Sequence, residues 1–292
     1  MAEISAALVK ELRERTGLGI LDCKKALTES GGDMNEAVDA LRKRSAFKAA
    51  TKADRTAAEG LLGFRIGPDA RVGALVEVNI ETDFAARNEK FVAFVDRVLS
   101  AVFERREADV AHLMAGALEA ERESLVQEIG ENVSVRRAAV LAPGNGWVAG
   151  YLHTDKRKAA LVALEGGDEA LGRDLAMHVT AANPVPLVVE AAQIPADVLA
   201  REREQFRAQA AESGKPPEII EKMVEGRVRK FVAEMTLNDQ PFVKDPEQRV
   251  GKLLASHKAR CLAFVRFEVG EGISKETKDF AREVAAQMKG RT

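Results

Sequence analysis

Residue types that do chemistry are present in this sequence, but not in the patterns that chemistry requires. The two cysteines, Cys23 and Cys261, lie far apart and outside any CxxC pair, so neither a disulfide framework nor a zinc ribbon is expected. No serine or cysteine stands in a GxSxG context, and no GxxxxGK[ST] loop is present to bind phosphate. The histidines lack HExxH or other metal-ligand spacing; they are His112, His153, His178 and His257. We therefore expect a protein that is not an enzyme and holds no metal or cofactor.

One short segment, TDFAAR at 82–87, combines residues that could act on a binding partner. It places a capping residue, a carboxylate and a phenylalanine side by side. In a structural interpretation, Thr82 or Asp83 begins a helix as its N-cap, and Phe84 packs as a hydrophobic staple. In a functional interpretation the segment is a binding loop. The residues alone favour the first interpretation, and the length of the surrounding connection keeps the second one open.

That connection can be judged because the chain repeats itself. Residues 62–78 (LGFRIGPDARVGALVEV) align without a gap to residues 148–164 (VAGYLHTDKRKAALVAL). Each copy predicts a β-hairpin, with a polar turn between two strands, and each is followed by a helical pattern. The link from hairpin to helix has twelve residues in the first copy and six in the second. Segment 82–87 lies within the longer link, and connections that exceed the structural need often carry function.

Three short helices are predicted in the first 40 residues, where apolar residues recur at helical spacing. Asp33 followed by Glu36 is typical of a capping box and opens the third helix. Residues 42–58 are rich in lysine and arginine, interleaved mostly with small residues. They favour a solvated linker, which could be helical, over a nucleic-acid patch, because Phe47 is their only aromatic residue.

Helices and strands are also predicted outside the repeat. Between the copies, 117–129 predicts a helix and 133–141 a strand. Beyond the second copy, 196–212 and 218–235 predict two charged helices joined by SGKPP, an antiparallel hairpin projecting from the core. Residues 262–269 predict a strand. The last helix runs from Thr277 to Met288, with an apolar stripe of Phe280, Val284 and Met288.

Together these elements predict an α+β protein whose core consists of two related subdomains with antiparallel sheets. The expected divisions are a three-helix module with its basic linker (1–55), a first core subdomain (56–142), a second core subdomain (143–195 and 236–272), the helical hairpin (196–235) and a C-terminal helical module (273–292).

Composition narrows the functional class. The 46 acidic and 44 basic residues nearly cancel, which argues against a nucleic-acid binder that relies on a basic field, so no direct nucleic-acid partner is expected. The first residues lack the apolar core of a signal peptide. No segment approaches the roughly 20 apolar residues of a membrane span. A cytoplasmic protein without a membrane partner is expected.

Six segments spread along the chain resemble the elongation factor Ts family in the family's order. They are TGLGILDCKKAL (16–27), VNIETDFAARNEKF (78–91), GENVSVRR (130–137), SGKPPEIIEKMVEGRVRKF (213–231), QPFV (240–243) and FVRFEVGEGI (264–273). The resemblance implies a guanine nucleotide exchange factor whose partner is the GTPase elongation factor Tu, in its GDP-bound and nucleotide-free forms. It also implies that the N-terminal module is UBA-like and binds the GTPase.

The resemblance further implies a role for particular residues. The family's TDFV loop, which displaces magnesium from the partner, corresponds to Thr82-Asp83-Phe84-Ala85, where Ala85 departs from the family's valine. Partner contacts are implied for two apolar residues, Ile20 and Leu21, and for a histidine of the second hairpin, His153. The C-terminal helix, with Phe280, Val284 and Met288, is expected to grip the nucleotide domain.

Two other functions stay open at the level of the sequence. One is an adaptor without exchange activity, whose helical hairpin mediates self-association, so a homodimer through that hairpin is left open. The other is an RNA-associated translation protein that uses residues 42–58.

Overall fold

The structure is a computed structural model that describes residues 4–274. It begins with α1 (Ala6–Thr16), α2 (Ile20–Glu29) and α3 (Met34–Lys52). Gly17 ends α1 in the left-handed conformation, and the Asp33 carboxylate caps the first N–H groups of α3, as its position in the sequence predicts. A small apolar core that includes Leu12, Leu27 and Leu41 holds the three helices together.

The first subdomain is a three-stranded antiparallel sheet covered by helices. Its elements are β1 (Glu59–Ile66), β2 (Gly73–Ile80), α4 (Asp83–Ala86), α5 (Glu89–Arg105), α6 (Val110–Leu113), α7 (Ala117–Ile129) and β3 (Val133–Leu141). The strands are ordered β1-β2-β3. Buried side chains of α5 and α7, among them Phe91, Phe94 and Val126, form a core with β2. The helix and strand expected at 117–129 and 133–141 are confirmed.

The second subdomain repeats this plan with a different third strand. The chain continues through β4 (Trp147–Leu152), β5 (Lys158–Glu165), α8 (Glu169–Ala181), α9 (Ala196–Ala211), α10 (Pro217–Met235), β6 (Pro241–Phe242), β7 (Asp245–Arg249), α11 (Val250–Ser256) and β8 (Arg260–Glu268). The sheet order is β4-β5-β8, so the third strand arrives only after the helical hairpin. Helices α8 and α11 contribute to the core on one face of this sheet.

The structure confirms the internal repeat down to the register of its strands. Phe64 pairs with Leu75 in the first hairpin, and the aligned residues Gly150 and Leu161 pair in the second. A bulge interrupts the pairing to the third strand immediately after Glu77 in one sheet and after Ala163, its aligned partner, in the other. The two hairpins are therefore the same supersecondary unit used twice.

The sheets pack against each other through the faces that the helices leave free. Leu62, Leu75, Val148 and Leu161 belong to the buried cluster between them. The backbone N–H of Leu62 donates to the carbonyl of Lys156 at 2.9 Å, and that of Val148 donates to the carbonyl of Ala70 at 2.7 Å. These two bonds join aligned positions reciprocally, which is what a two-fold relation between the hairpins produces.

The basic segment is helical over its first part, as the sequence allowed, because α3 continues through it to Lys52. Ser45 and Ala49 on that helix are buried. The Ser45 hydroxyl donates to Oε1 of Gln127 on α7 at 2.6 Å, and the Lys52 ammonium donates to the carbonyl of Gly130. This half of α3 thus docks the N-terminal module onto the first subdomain.

The helical hairpin is confirmed as α9 and α10. The ring centroids of Phe206 and Phe231 lie 6.5 Å apart edge to face, and Ala210 and Val224 are buried along the seam. At the base, the N–H of Leu237 donates to a carbonyl of the preceding loop. The α+β class is confirmed. None of the helices within residues 4–274 has both the length and the apolar content needed to cross a bilayer.

Candidate functional site

The segment that the first copy adds forms the one-turn helix α4. Thr82 is its N-cap, and the Thr82 hydroxyl oxygen accepts a hydrogen bond from the N–H of Ala85 at 3.2 Å. Ala86 is buried against the first subdomain. The predicted helix start is therefore confirmed. Phe84 as a hydrophobic staple is wrong, because its side chain is 80% exposed and cannot fix the chain by packing.

Asp83 presents its carboxylate on the same exposed turn as Phe84. Its partner is Arg87, whose guanidinium lies 3.2 Å from the Asp83 carboxylate, one helical turn further on. Both side chains are more than half exposed, and ion pairs of this kind contribute little to stability. Asp83 can therefore exchange Arg87 for another partner at low cost.

Ile20 and Leu21 form a second exposed apolar surface at the start of α2. Their side chains are 57% and 82% exposed. Monomeric proteins rarely leave large apolar side chains together in solvent unless they bind something. Lys90, in the first turn of α5, lines a shallow cleft with both residues. Because α4 directly precedes α5, this apolar surface adjoins the end of the subdomain that carries Phe84.

Two contacts, from Gln127 and Lys90 of the first subdomain, join the N-terminal module to it near α4. The amide Nε2 of Gln127 donates to a carboxylate oxygen of Asp22 at 3.2 Å. The ammonium of Lys90 donates to the carbonyl of Gly17 at 3.4 Å and forms an ion pair with Glu128. The sequence analysis did not identify these residues, because each contact joins parts of the chain that are far apart and no local spacing marks them.

His153 lies at the turn between β4 and β5, as the repeat predicts. Its ring Nδ1 is 3.1 Å from Asp155, and its ring meets the edge of Tyr151. The pKa of Asp155 is lowered from its ordinary value. Partial burial alone would raise it, but the hydrogen bonds with the N–H of Arg157 and with the His153 ring outweigh that contribution. His153 opens onto a separate cleft of the second sheet, which Val243 also lines. No hydrogen bond, ion pair or ring contact within 4–274 joins it to α4 or α2, so its partner contact stays a prediction.

The remaining predicted contacts lie in the C-terminal module. Phe280, Val284 and Met288 are outside the described residues 4–274. Their role in partner binding stays a prediction.

Burial disfavours the reactive thiolate form of both cysteines. Burial raises the pKa of the Cys261 thiol to about 12. Burial also raises the pKa of Cys23, and a hydrogen bond between Cys23 and Thr16 opposes this only in part. Within residues 4–274, no group of three or more His, Cys, Asp or Glu side chains could hold a metal ion.

His178 is a buried histidine of α8 whose ring nitrogens both have partners. Its Nε2 lies 2.9 Å from the amide oxygen of Gln240, and its Nδ1 accepts the N–H of Val243 at 3.2 Å. These two contacts require a neutral ring with the proton on Nε2. Burial lowers the pKa of His178, which favours the same neutral form.

Known proteins match this sequence over nearly its whole length. The sequence model of the family described as Elongation factor TS matches residues 81–271. Elongation factor Ts of Hahella chejuensis is 52% identical over 290 residues, covering 99% of this chain and 100% of the relative. Elongation factor Ts of Saccharophagus degradans is 53% identical over 285 residues, 98% of each chain. Elongation factor Ts of Methylococcus capsulatus is 50% identical over 292 residues, 98% of this chain and 99% of the relative.

These matches, together with the α+β fold, show that the protein is a translation elongation factor, a component of protein biosynthesis. Within that class, the chain belongs to the elongation factor Ts family. The family recognised from the sequence is confirmed.

Proposed function

We propose that this protein is a guanine nucleotide exchange factor that binds elongation factor Tu and promotes the release of GDP and Mg²⁺. It acts in the cytoplasm and is not an enzyme. The observation that carries the proposal is Phe84, which is four-fifths exposed beside Asp83 on a turn that only the first copy contains. A phenylalanine in that position gains free energy when a partner covers it.

In this mechanism α4 acts as a small wedge. Phe84 enters an apolar gap of the GTPase near its phosphate and metal site, and the Asp83 carboxylate follows, close to Mg²⁺ or its ligands. Magnesium requires near-ideal octahedral geometry, so a small displacement of its surroundings weakens its binding strongly. GDP then loses the cation that screens its phosphates. Thr82 and Ala85 support the wedge from its two ends.

The exposed residues of the N-terminal module provide the anchor. Ile20 and Leu21 bind the nucleotide domain, and the contacts of Gln127 and Lys90 keep this anchor in a fixed relation to α4. His153 touches the partner from the second subdomain, and Phe280, Val284 and Met288 add the grip of the C-terminal module. Several contacts held on one frame raise the effective concentration of each of the others.

The factor requires no reactive group, because exchange is a matter of differential binding. Its contacts must be better with nucleotide-free elongation factor Tu than with the GDP-bound form. The coupling is reciprocal, so the free energy by which the factor weakens GDP binding equals the free energy by which GDP weakens factor binding.

The test mixes the protein with elongation factor Tu loaded with fluorescent GDP and follows the fluorescence. Release that accelerates at substoichiometric amounts of the factor supports the proposal. Stable co-purification with elongation factor Tu without release contradicts it and favours an adaptor. Strong, salt-sensitive binding to RNA in place of release favours an RNA-associated protein.

A further inference from the structure

We propose that Glu131 is a positioning residue that holds α4 in the orientation from which Phe84 and Asp83 act. The inference rests on the proposed exchange function and extends it to a residue behind the exposed turn. Glu131 lies in the segment 130–132, between the end of α7 and the start of β3. The segment GENVSVRR, which carried part of the family resemblance, begins there.

Glu131 binds the N-cap of α4 with both oxygens of its carboxylate. One oxygen accepts the backbone N–H of Thr82 at 2.9 Å, and the other accepts the Thr82 hydroxyl at 2.8 Å. Hydrogen bonds to an ionised acceptor are stronger than those between neutral groups. Thr82 is thus fixed by its backbone and its side chain at once.

The hydrogen bond between the Thr82 hydroxyl and Glu131 also orients that hydroxyl as the N-cap of α4. A threonine hydroxyl has one hydrogen to donate, and here the carboxylate of Glu131 takes it. The lone pairs of the same oxygen are then directed toward the N–H of Ala85, which donates to it at 3.2 Å. Without Glu131 the hydroxyl can rotate and the cap loses its direction.

A helix as short as α4 requires such external support. It spans only Asp83–Ala86, and a single helical turn is unstable on its own, because nucleation fixes several backbone angles for one hydrogen bond. The exposed Phe84 side chain adds no packing. The orientation of the turn therefore depends on Ala86, which is buried at its end, and on Thr82 at its start.

Glu131 can serve as an anchor because its two neighbours are fixed. The carbonyl of Gly130 accepts the ammonium of Lys52. Asn132 is buried, and its side-chain amide donates to the carbonyls of Ala53 at 3.2 Å and Arg55 at 2.8 Å. Gly130 and Asn132 thus bind the end of α3 and the residues that follow it, while Glu131 between them binds the N-cap of α4. A displacement of the N-terminal module would reach α4 through this segment.

The test compares Glu131→Ala with Glu121→Ala. Glu121 lies on α7 and forms an ion pair with Arg97, so the control removes a carboxylate and an ion pair from the same subdomain without touching Thr82. Amide hydrogen exchange is measured on the free factor over residues 82–87. Faster exchange in Glu131→Ala than in Glu121→Ala supports the inference, and equal exchange in the two variants overturns it.

The second measurement is GDP release from elongation factor Tu. Glu131→Ala is expected to slow release about tenfold, the order of magnitude for a lost hydrogen bond to a charged group, while Glu121→Ala retains the wild-type rate. Because Glu131 acts through Phe84 and Asp83, its removal in a Phe84→Ala background should slow release by clearly less than its removal from the wild type. Additive losses in the double variant overturn a positioning role.

Substitutions of Thr82 provide the rescue arm. Thr82→Ser keeps the hydroxyl that joins Glu131 to Ala85, whereas Thr82→Val removes it, so Thr82→Val should slow GDP release more than Thr82→Ser does. Equal rates for the two Thr82 variants contradict the inference. If the wild-type factor does not accelerate GDP release from elongation factor Tu, the proposed function fails. Hydrogen exchange in the free factor then still decides whether Glu131 holds α4 in place.

Discussion

At the scale of single residues, Phe84 connects the fold most directly to the proposed function. Phe84→Ala should slow GDP release by about one to two powers of ten, because burying a phenylalanine side chain contributes roughly 1.5–3 kcal/mol. The melting temperature should hardly change, because the exposed Phe84 side chain makes few contacts within the factor that the substitution could remove. Both quantities are to be measured on the same sample.

Phe47→Ala is the matched control for that variant. Phe47 is 71% exposed and also lies on a helix, but it is on α3 and outside the predicted contacts. It should retain both the exchange rate and the melting temperature. A Phe84→Ala protein that melts earlier but exchanges normally would return Phe84 to a purely structural role.

His178 makes a prediction about pH. Its folded-state pKa lies below the ordinary value of 6.5, so the folded protein keeps the ring neutral while the unfolded chain takes up a proton first. The contribution of neutral His178 to folding stability is therefore complete above pH 6.5. It is lost as the pH falls from 6.5 toward the pKa of His178 in the folded protein. Urea unfolding at pH 7.5 and 5.5 should show a lower free energy of unfolding at the lower pH.

His257→Gln is the control for the pH dependence, because His257 is exposed. The loss of stability between pH 7.5 and 5.5 should persist in that variant and shrink in His178→Gln. An unchanged pH dependence in His178→Gln would show that other groups are responsible.

At the scale of elements, the helical hairpin is expected to be dispensable for much of the exchange activity. Its seam is narrow, and its base carries the structural contacts: the carbonyl of Met235 accepts the N–H of Leu187, and Leu237 is fully buried. Replacing residues 199–231 by a short flexible linker, which spares that base, should leave a folded factor. Circular dichroism, thermal melting and GDP release test this.

The same variant also tests self-association. If the homodimer left open by the sequence forms through α9 and α10, sedimentation should show a dimer for the full chain and a monomer for the shortened one. A shortened chain that fails to fold would mean that the hairpin belongs to the core of the second subdomain.

Several elements could be predicted because local sequence determines them. The helix at 117–129 is bounded by glycines, and the apolar stripe of α5 recurs at helical spacing. The hairpin of β6 and β7 was missed because a two-residue strand and a charged, proline-containing strand carry no alternation to detect. Helix α11 was also missed, because its 7 residues are too few to establish a helical period. Glu131 was missed for another reason, since its partner Thr82 is 49 residues away in the chain.

At the scale of the whole molecule, the two sheets meet so closely that one position permits no side chain. A Cβ atom added at Gly150 would lie 2.6 Å from the ring of Phe64 and 2.9 Å from the carbonyl of Ala160. Gly150→Ala should therefore lower the free energy of unfolding by about 1–3 kcal/mol through overpacking. Denaturant unfolding measures the change.

Gly226→Ala is the opposite case and serves as the control. Gly226 lies inside α10, and no atom beyond its chain neighbours and the adjacent backbone of that helix lies within 4 Å of an added Cβ. Alanine favours the helix there, so a gain of about 0.5–1 kcal/mol is expected. A Gly150→Ala variant as stable as the wild type would show that the sheets can separate without cost.

The near two-fold relation of the hairpins has a consequence for stoichiometry. Two identical hairpins joined by reciprocal bonds would present two equivalent edges, and such a chain could bind two partners in the same way. Six additional residues in the first copy remove that equivalence, because α4 exists at one edge only. In the proposed mechanism, only the edge that carries α4 displaces magnesium. Under the proposed mechanism, a single molecule of the factor should engage one GTPase at a time through α4, while the second copy serves as a scaffold and adds the contact of His153.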